Sequence, residues 1–362
     1  MRLDINKIIY GYLFICMLLL FYNIFYIAYS NRREKKFENY VGKWQYAIIR
    51  QVTLLREGLT IEPEHQRQME RQLVKTDQLI AYSRALDRVR EQGEELVKYL
   101  WENYLIIQEL AVHYSRKESM EKAFFAYYIS KNPPCDGKEY RQIMEIILSY
   151  FEDSTVYCRE NILNALYVLG NAQAIENAFH IINERKWFHH PKLLSDGLNS
   201  FTGDKEELAE RLWSFLGKWN DNLMVSIVNF ITVCSDKFKS RFLEVIQSNN
   251  VSLEVRLAIL RYFRRYPDES VRPLLLLYLK DENLADINIK IVTASVLERY
   301  PGEDTVAALK SALSHPNWYL RYNAATSLVN LEVDITTLRD ILREDRYAKE
   351  IYVYMMDRQK AG

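Results

Sequence analysis

From Ile8 to Tyr29 no position is charged: IIYGYLFICMLLLFYNIFYIAY. A helix of that length rises about 33 Å, enough to cross the hydrocarbon layer of a bilayer. Tyr10, Tyr12, Tyr26 and Tyr29 fall near its ends, where interfacial aromatic rings collect. The pattern then becomes amphipathic. Phe37, Val41, Trp44, Ile48, Val52 and Leu55 recur at steps of three and four, one face of a helix that continues from the membrane, and the other face is charged. Such a stripe either packs on a domain or pairs with its own copy as a short coiled coil. Gly58 and Pro63 punctuate its end. Beyond them the pattern predicts one polar helix from Glu64 to about Arg90, and a third helix, holding ELVKYLWENYLIIQELAVHY, to Tyr114.

Farther along, the apolar pattern repeats. With an offset of 34, Val255-Arg256 falls on Ile289-Lys290. Ala258, Tyr262 and Phe263 fall on Val292, Val296 and Leu297, and Tyr266-Pro267 falls on Tyr300-Pro301. In the second helix of the unit, Leu274, Leu275, Tyr278 and Leu279 fall on Ala308, Leu309, Ala312 and Leu313. Leu320-Arg321 and Ala324-Ala325 restart the first helix. Earlier copies begin at Leu223, Leu193 and Cys158, and a further pair, Met120 to Ser130 and Glu139 to Phe151, is split by KNPPCDG. A two-helix unit of this size cannot bury its own apolar faces, whereas stacked neighbours can. The first helix is apolar on more than one side, with Leu257 and Leu260 beside the Val255, Ile259, Tyr262 stripe, as a helix caught between two neighbours must be.

The string LSHPNWYLRYNAATSL and the similar LEVRLAILRYF resemble bacterial HEAT repeats, clearly over residues 155–345 and more weakly over 118–154. The Leu223 and Leu193 copies depart from the pattern, lacking the Val-Arg pair. The resemblance implies an α-solenoid that offers a curved face to a partner, and it transfers no catalytic residue. It also implies two enzyme precedents on the scaffold, a bilin lyase type and a DNA glycosylase type. The fold class expected is therefore all-α, an α-solenoid of stacked HEAT-like helix pairs behind a single N-terminal transmembrane helix. The divisions are a flank (1–7), the span (8–29), an amphipathic connector (30–62), an N-terminal helical bundle or cap (63–117), the repeats (118–346), and a C-terminal cap helix and tail (347–362).

Charge narrows the partners. Lys plus Arg and Asp plus Glu both number 48 in 362 residues, which does not fit a general nucleic-acid binder or the basic groove a glycosylase needs. Arg32, Arg33, Lys35 and Lys36 follow the span, against Arg2 and Lys7 before it, so the positive-inside bias puts the C-terminal bulk in the cytoplasm. A cleaved signal peptide is the rival reading, with small residues at Ala28 and Ser30. Against it, the apolar run exceeds the usual length and NRREKK follows at once. Cys16, Cys135, Cys158 and Cys234 have no metal-type spacing and form no dense framework, as expected of thiols in helices.

No P-loop, dinucleotide fingerprint, GxSxG or HExxH is present. Of the six histidines only His189 and His190 adjoin, and neighbours on a helix do not face each other. No catalytic residue, cofactor or metal site is assigned. Trp187, Trp213, Trp219 and Trp318 sit near predicted helix ends, as packing residues or as partner anchors. Arg261, Arg264 and Arg265, with Arg272 opening the next helix, form a basic cluster, and nearby Asp268 and Glu269 offset only part of it. These four are the candidate partner-binding residues. The expected function is a membrane-tethered, non-catalytic scaffold or adaptor for a protein partner, itself a membrane protein or membrane-associated complex, in a setting such as a bacterial envelope or polysaccharide-synthesis assembly. The alternative is a HEAT-type enzyme or small-ligand binder, lyase-like, that uses the solenoid groove.

Overall fold

Short polar side chains start the helices, as their free N–H groups require. In a computed structural model of the chain, which describes residues 5–133, 141–248, 251–281 and 286–361, Asn220 Oδ1 accepts from Leu223 N at 3.2 Å and Asn317 Oδ1 from Leu320 N at 3.1 Å. Asp204 Oδ1 accepts from the N–H groups of Glu206 and Glu207 at 2.9 and 3.1 Å. Among the described residues all regular structure is helical. The chain divides into two compact units, Met1–Ala174 and Ile175–Gly362.

The first unit contains α1 (Ile5–Arg56), α2 (Pro63–Gln72), α3 (Thr76–Arg88), α4 (Glu94–Glu102), α5 (Tyr104–Tyr114), α6 (Ser119–Lys131), α7 (Arg141–Ser149) and α8 (Val156–Leu169). One row runs from α1 to α3, α6 and α8, each packed on the next, and α2, α5 and α7 form a second row beside it. The amphipathic stripe of α1 is docked, not left for self-pairing: Val41, Trp44, Ile48, Val52 and Leu55 are buried.

Two of the predicted helices are broken. The segment expected as one helix from Glu64 to Arg90 is α2 and α3. Its break carries no glycine or proline; Leu73 there is fully buried and its carbonyl accepts the Tyr114 hydroxyl at 2.9 Å. The helix expected to reach Tyr114 stops once at Asn103, a buried amide that donates back to the Tyr99 carbonyl at 2.8 Å and so competes with continued helix. Most of the KNPPCDG segment, with Cys135 and Glu139, lies outside the described residues.

The division between units falls within α9 (Ala172–Glu184). The second unit continues with α10 (Pro191–Asn199), α11 (Lys205–Ser214), α12 (Asp221–Cys234), α13 (Lys239–Gln247), α14 (Leu253–Arg265), α15 (Arg272–Lys280), α16 (Ile287–Val296), α17 (Glu303–Ala312), α18 (Trp318–Asn330), α19 (Arg339–Glu344) and α20 (Arg346–Ala361). Helices α10, α12, α14, α16, α18 and α20 pack in succession. On each from α12 onward lies the helix just before it in the chain, an order compatible with a solenoid. The repeat alignment names the core correctly at most positions. Val255, Ala258, Tyr262, Phe263, Val296, Leu297, Leu275, Leu309, Ala324 and Ala325 are fully buried, and Leu257 and Leu260 close the other side of α14. Leu193 departs from it, exposed on α10.

Tyrosine, 26 residues of the chain, has a specific job here. Tyr114 donates to the carbonyl of Leu73, Tyr150 to Ala111 at 2.6 Å, Tyr278 to Ile246 at 3.3 Å and Tyr300 to Phe263 at 3.1 Å. Each reaches back 32 to 41 residues, about one repeat, to a carbonyl at or near a helix C-terminus. The ring fills the core while the hydroxyl donates to a carbonyl near a helix end, where intrahelical donors run out.

Candidate functional site

The arginine cluster does not stay together as one free patch. On α14, Arg261, Arg264 and Arg265 are exposed on a face distinct from the buried Val255, Ile259 and Tyr262. Arg264 Nε donates to Glu298 Oε1 at 2.8 Å, and the other oxygen of Glu298 accepts from Asn330 Nδ2 at 2.7 Å. This chain of contacts joins three successive repeats. Arg272 turns inward, its side chain 22% exposed, and donates to the carbonyls of Tyr300, at 3.2 Å, and Pro301. It also pairs with Glu269 at 3.2 Å. Arg265 lies over the Tyr266 ring, 5.6 Å from its centroid. The stripe that remains outward is Arg261 and Arg265, one turn apart.

Glu298 is the acid that local reading of the cluster missed. The 34-residue offset carries Arg264 onto Glu298, so the two occupy one register position in adjacent repeats and meet side by side. Other charges do the same: Arg211 with Glu176 at 3.2 Å, Arg241 with Glu210 at 2.6 Å, Lys237 with Glu206, and Lys310 with Asp340 at 2.6 Å. Exposed pairs of this kind contribute about 0–1 kcal/mol each; together they favour one register of packing between successive helix pairs.

The histidines separate into structural roles. His190 Nδ1 accepts from Lys192 N at 3.2 Å and caps α10, while His189 beside it is buried. Among the described residues no group of three His, Cys, Asp or Glu side chains is placed to hold a metal. Burial raises the thiols of Cys158 and Cys234, the latter to about 11. Of the tryptophans, Trp219 is buried and donates to the Leu212 carbonyl at 2.8 Å, Trp213 stacks edge-on against Phe242, and Trp318 stands half in solvent.

His65 sits deep in the first unit, its Nε2 2.7 Å from the Tyr99 hydroxyl, which also accepts from Tyr82 at 3.1 Å. Burial holds its pKa down at about 4, against about 6.5 in an unfolded chain. Below pH 6.5 the unfolded chain takes up a proton that the fold refuses, so stability falls as pH drops toward 4 and then levels off. The loss amounts to about 3 kcal/mol. Unfolding of the first unit, followed by denaturant titration between pH 7 and 4.5, shows this decline, and His65→Gln flattens it. An unchanged slope in the variant assigns the pH dependence elsewhere.

The joint between α1 and the first unit is the other constructed feature. Trp44 Nε1 donates to Gln78 Oε1 at 3.1 Å, and its ring meets Tyr82 edge-on at 5.2 Å. Gln51 exchanges two hydrogen bonds with Glu62, at 2.8 and 2.9 Å. Arg50 pairs with Glu62, and Arg56 with Glu95 at 3.2 Å. From Tyr10 to Tyr29, by contrast, every side chain is exposed and nearly all are apolar. Its one amide, Asn23, donates to its own helix at Leu19 O, 2.8 Å away. The helix is long and apolar enough to cross a membrane, a property that a signal sequence near an N-terminus shares. No protein-family profile matches the chain, and no curated protein or solved structure shows significant similarity to it.

Proposed function

We propose that the chain is a membrane-tethered, non-catalytic adaptor. An uncleaved span holds it at the cytoplasmic face, and a HEAT-like α-solenoid presents a surface to a membrane protein or a membrane-associated complex. The observation that carries this reading is the continuity of α1. One helix of about 78 Å by its 52 residues runs without interruption from an exposed apolar half into a buried stripe of the first unit. Nothing flexible intervenes, so membrane and domain are held at a fixed spacing. Ala28–Ser30, where a signal peptide would be cut, lies within unbroken helix. The succession of first helices within each unit, and the charge pairs at repeat spacing, support the solenoid. Tethering raises the effective concentration toward neighbouring membrane proteins, so modest contacts suffice.

Three measurements test the reading together. Alkaline carbonate leaves the protein in the membrane pellet, a C-terminal reporter is active only on the cytoplasmic side, and crosslinking in sealed membranes joins the chain to a protein partner. Arg261→Glu with Arg265→Glu reduces that product more at low salt than at high, and moves stability by about half a kcal/mol or less. Release by carbonate removes the tether. Absence of any crosslinked protein removes the adaptor. A product indifferent to charge reversal at low salt removes the arginine stripe from the binding surface.

A further inference from the structure

Where α1 leaves the span, it and α3 enclose a cleft of about 810 Å³. From α1 come Ser30, Arg32, Arg33 and Lys36, and from α3 Asp77 and Arg84. With Glu34, the ionisable lining is four cations against two acids. The second wall matters, because a basic run on a lone helix is merely solvated, whereas this one faces a fixed surface. Arg84 is already placed: its guanidinium covers the Phe37 ring at 4.9 Å and pairs with Glu38 at 3.3 Å. Glu38 also takes Arg88 at 2.8 Å, and the hydrogen bond from Arg88 helps hold its carboxyl below the usual range. Glu38, next to the cleft on α1, is thereby committed to α3. Lys36 leans over Tyr40 at 5.8 Å. Arg32 and Arg33 form no ion pair among the described residues.

Depth fixes what such a cleft meets. Arg32 and Arg33 follow Tyr29 by three and four residues, about 5–6 Å along the helix axis. The polar headgroup layer on each side of a bilayer is about 5–8 Å thick. The open guanidinium groups therefore stand at the level of lipid phosphates, and planar guanidinium binds phosphate oxygens in pairs. The volume lies within the range of small-molecule sites and leaves room for a glycerophosphate group between the helices.

We propose that this cleft binds the headgroup phosphate of an anionic phospholipid, with Arg33 and Arg32 as phosphate ligands and Lys36 and Arg84 as flanking charges. This rests on the membrane-anchored reading above. The bound lipid would pin the tether's exit point to the domain and make the α1–α3 joint sensitive to leaflet composition.

The test uses the full chain in nanodiscs of phosphatidylcholine mixed with phosphatidylglycerol, with retained lipid identified by native mass spectrometry after release. The parent keeps phosphatidylglycerol in preference to phosphatidylcholine. Arg33→Gln with Lys36→Gln weakens retention by about tenfold or more, the equivalent of about 1.4 kcal/mol. Lys35→Gln with Lys43→Gln removes the same charge outside the cleft and leaves retention unchanged. Equal loss in both doubles means diffuse attraction and overturns the site. Displacement of the lipid by soluble glycerol phosphate at comparable concentration makes it a free-phosphate site and overturns the lipid assignment. A chain that enters the discs but shows no lipid preference overturns the cleft alone; one that fails to enter overturns the anchor as well.

Discussion

Trp44→Ala lowers the stability of the first unit by about 3–5 kcal/mol, the cost of removing a large aromatic side chain from a close-packed core. Tyr46→Ala, two residues away on the same helix, changes it by about half a kcal/mol or less. The contrast follows from position: Trp44 is 2% exposed and Tyr46 72%. Trp44 also closes a network, with Gln78 at its indole N–H and Tyr82 and His65 edge-on to its ring. Its removal leaves a cavity between α1 and α3 and strands the Gln78 carbonyl. Denaturant unfolding of the detergent-solubilised full chain measures both variants. Equal, small effects would mean that α1 is not docked on α3.

Ala325→Arg unfolds or grossly destabilises the second unit, at a cost of about several kcal/mol from burying a charge without a partner and overfilling the space around it. Ala325 is fully buried on α18, which packs between α16 and α20. The approach is close on the α16 side. Ser327 Oγ donates to the Ala294 carbonyl at 2.7 Å, and Asn323 Nδ2 to the Ile291 carbonyl at 2.9 Å. On the α20 side, Thr326 Oγ1 lies 3.4 Å from Met355 Sδ. A guanidinium at this fully buried position has to displace these packed neighbours. Tyr319→Arg on the exposed side of α18 is the control, with a change of about half a kcal/mol or less. Thermal unfolding of the two variants separates them; if they coincide, the register that places Ala325 in the core is wrong.

Much of this molecule can be read along the chain. A run without charge from Ile8 to Tyr29 reads as an apolar helix long enough to cross a bilayer. Apolar residues at steps of three and four define which face of α1 and α14 turns inward, and an offset of 34 residues transfers that reading from Val255 to Ile289, and a further 31 residues to Leu320. These are local properties, governed by a period of 3.6 residues and by capping groups such as Asn220 and Asn317 that act within one turn. What the tertiary structure alone decided is how units meet. The breaks at Leu73 and Asn103 carry neither glycine nor proline; the first is a packed leucine whose carbonyl meets a hydroxyl 41 residues away. Arg264 reads as one of a free cationic cluster until Glu298 of the next repeat is set beside it. Arg272 reads as surface until the chain near Tyr300 folds over it. The cleft beside Arg33 exists only because α3 lies against α1. In each case the deciding partner is distant in sequence, and its position depends on the offset and rotation with which one helix seats on another. Those are set by the summed fit of many side chains, a quantity that no single stretch of sequence contains.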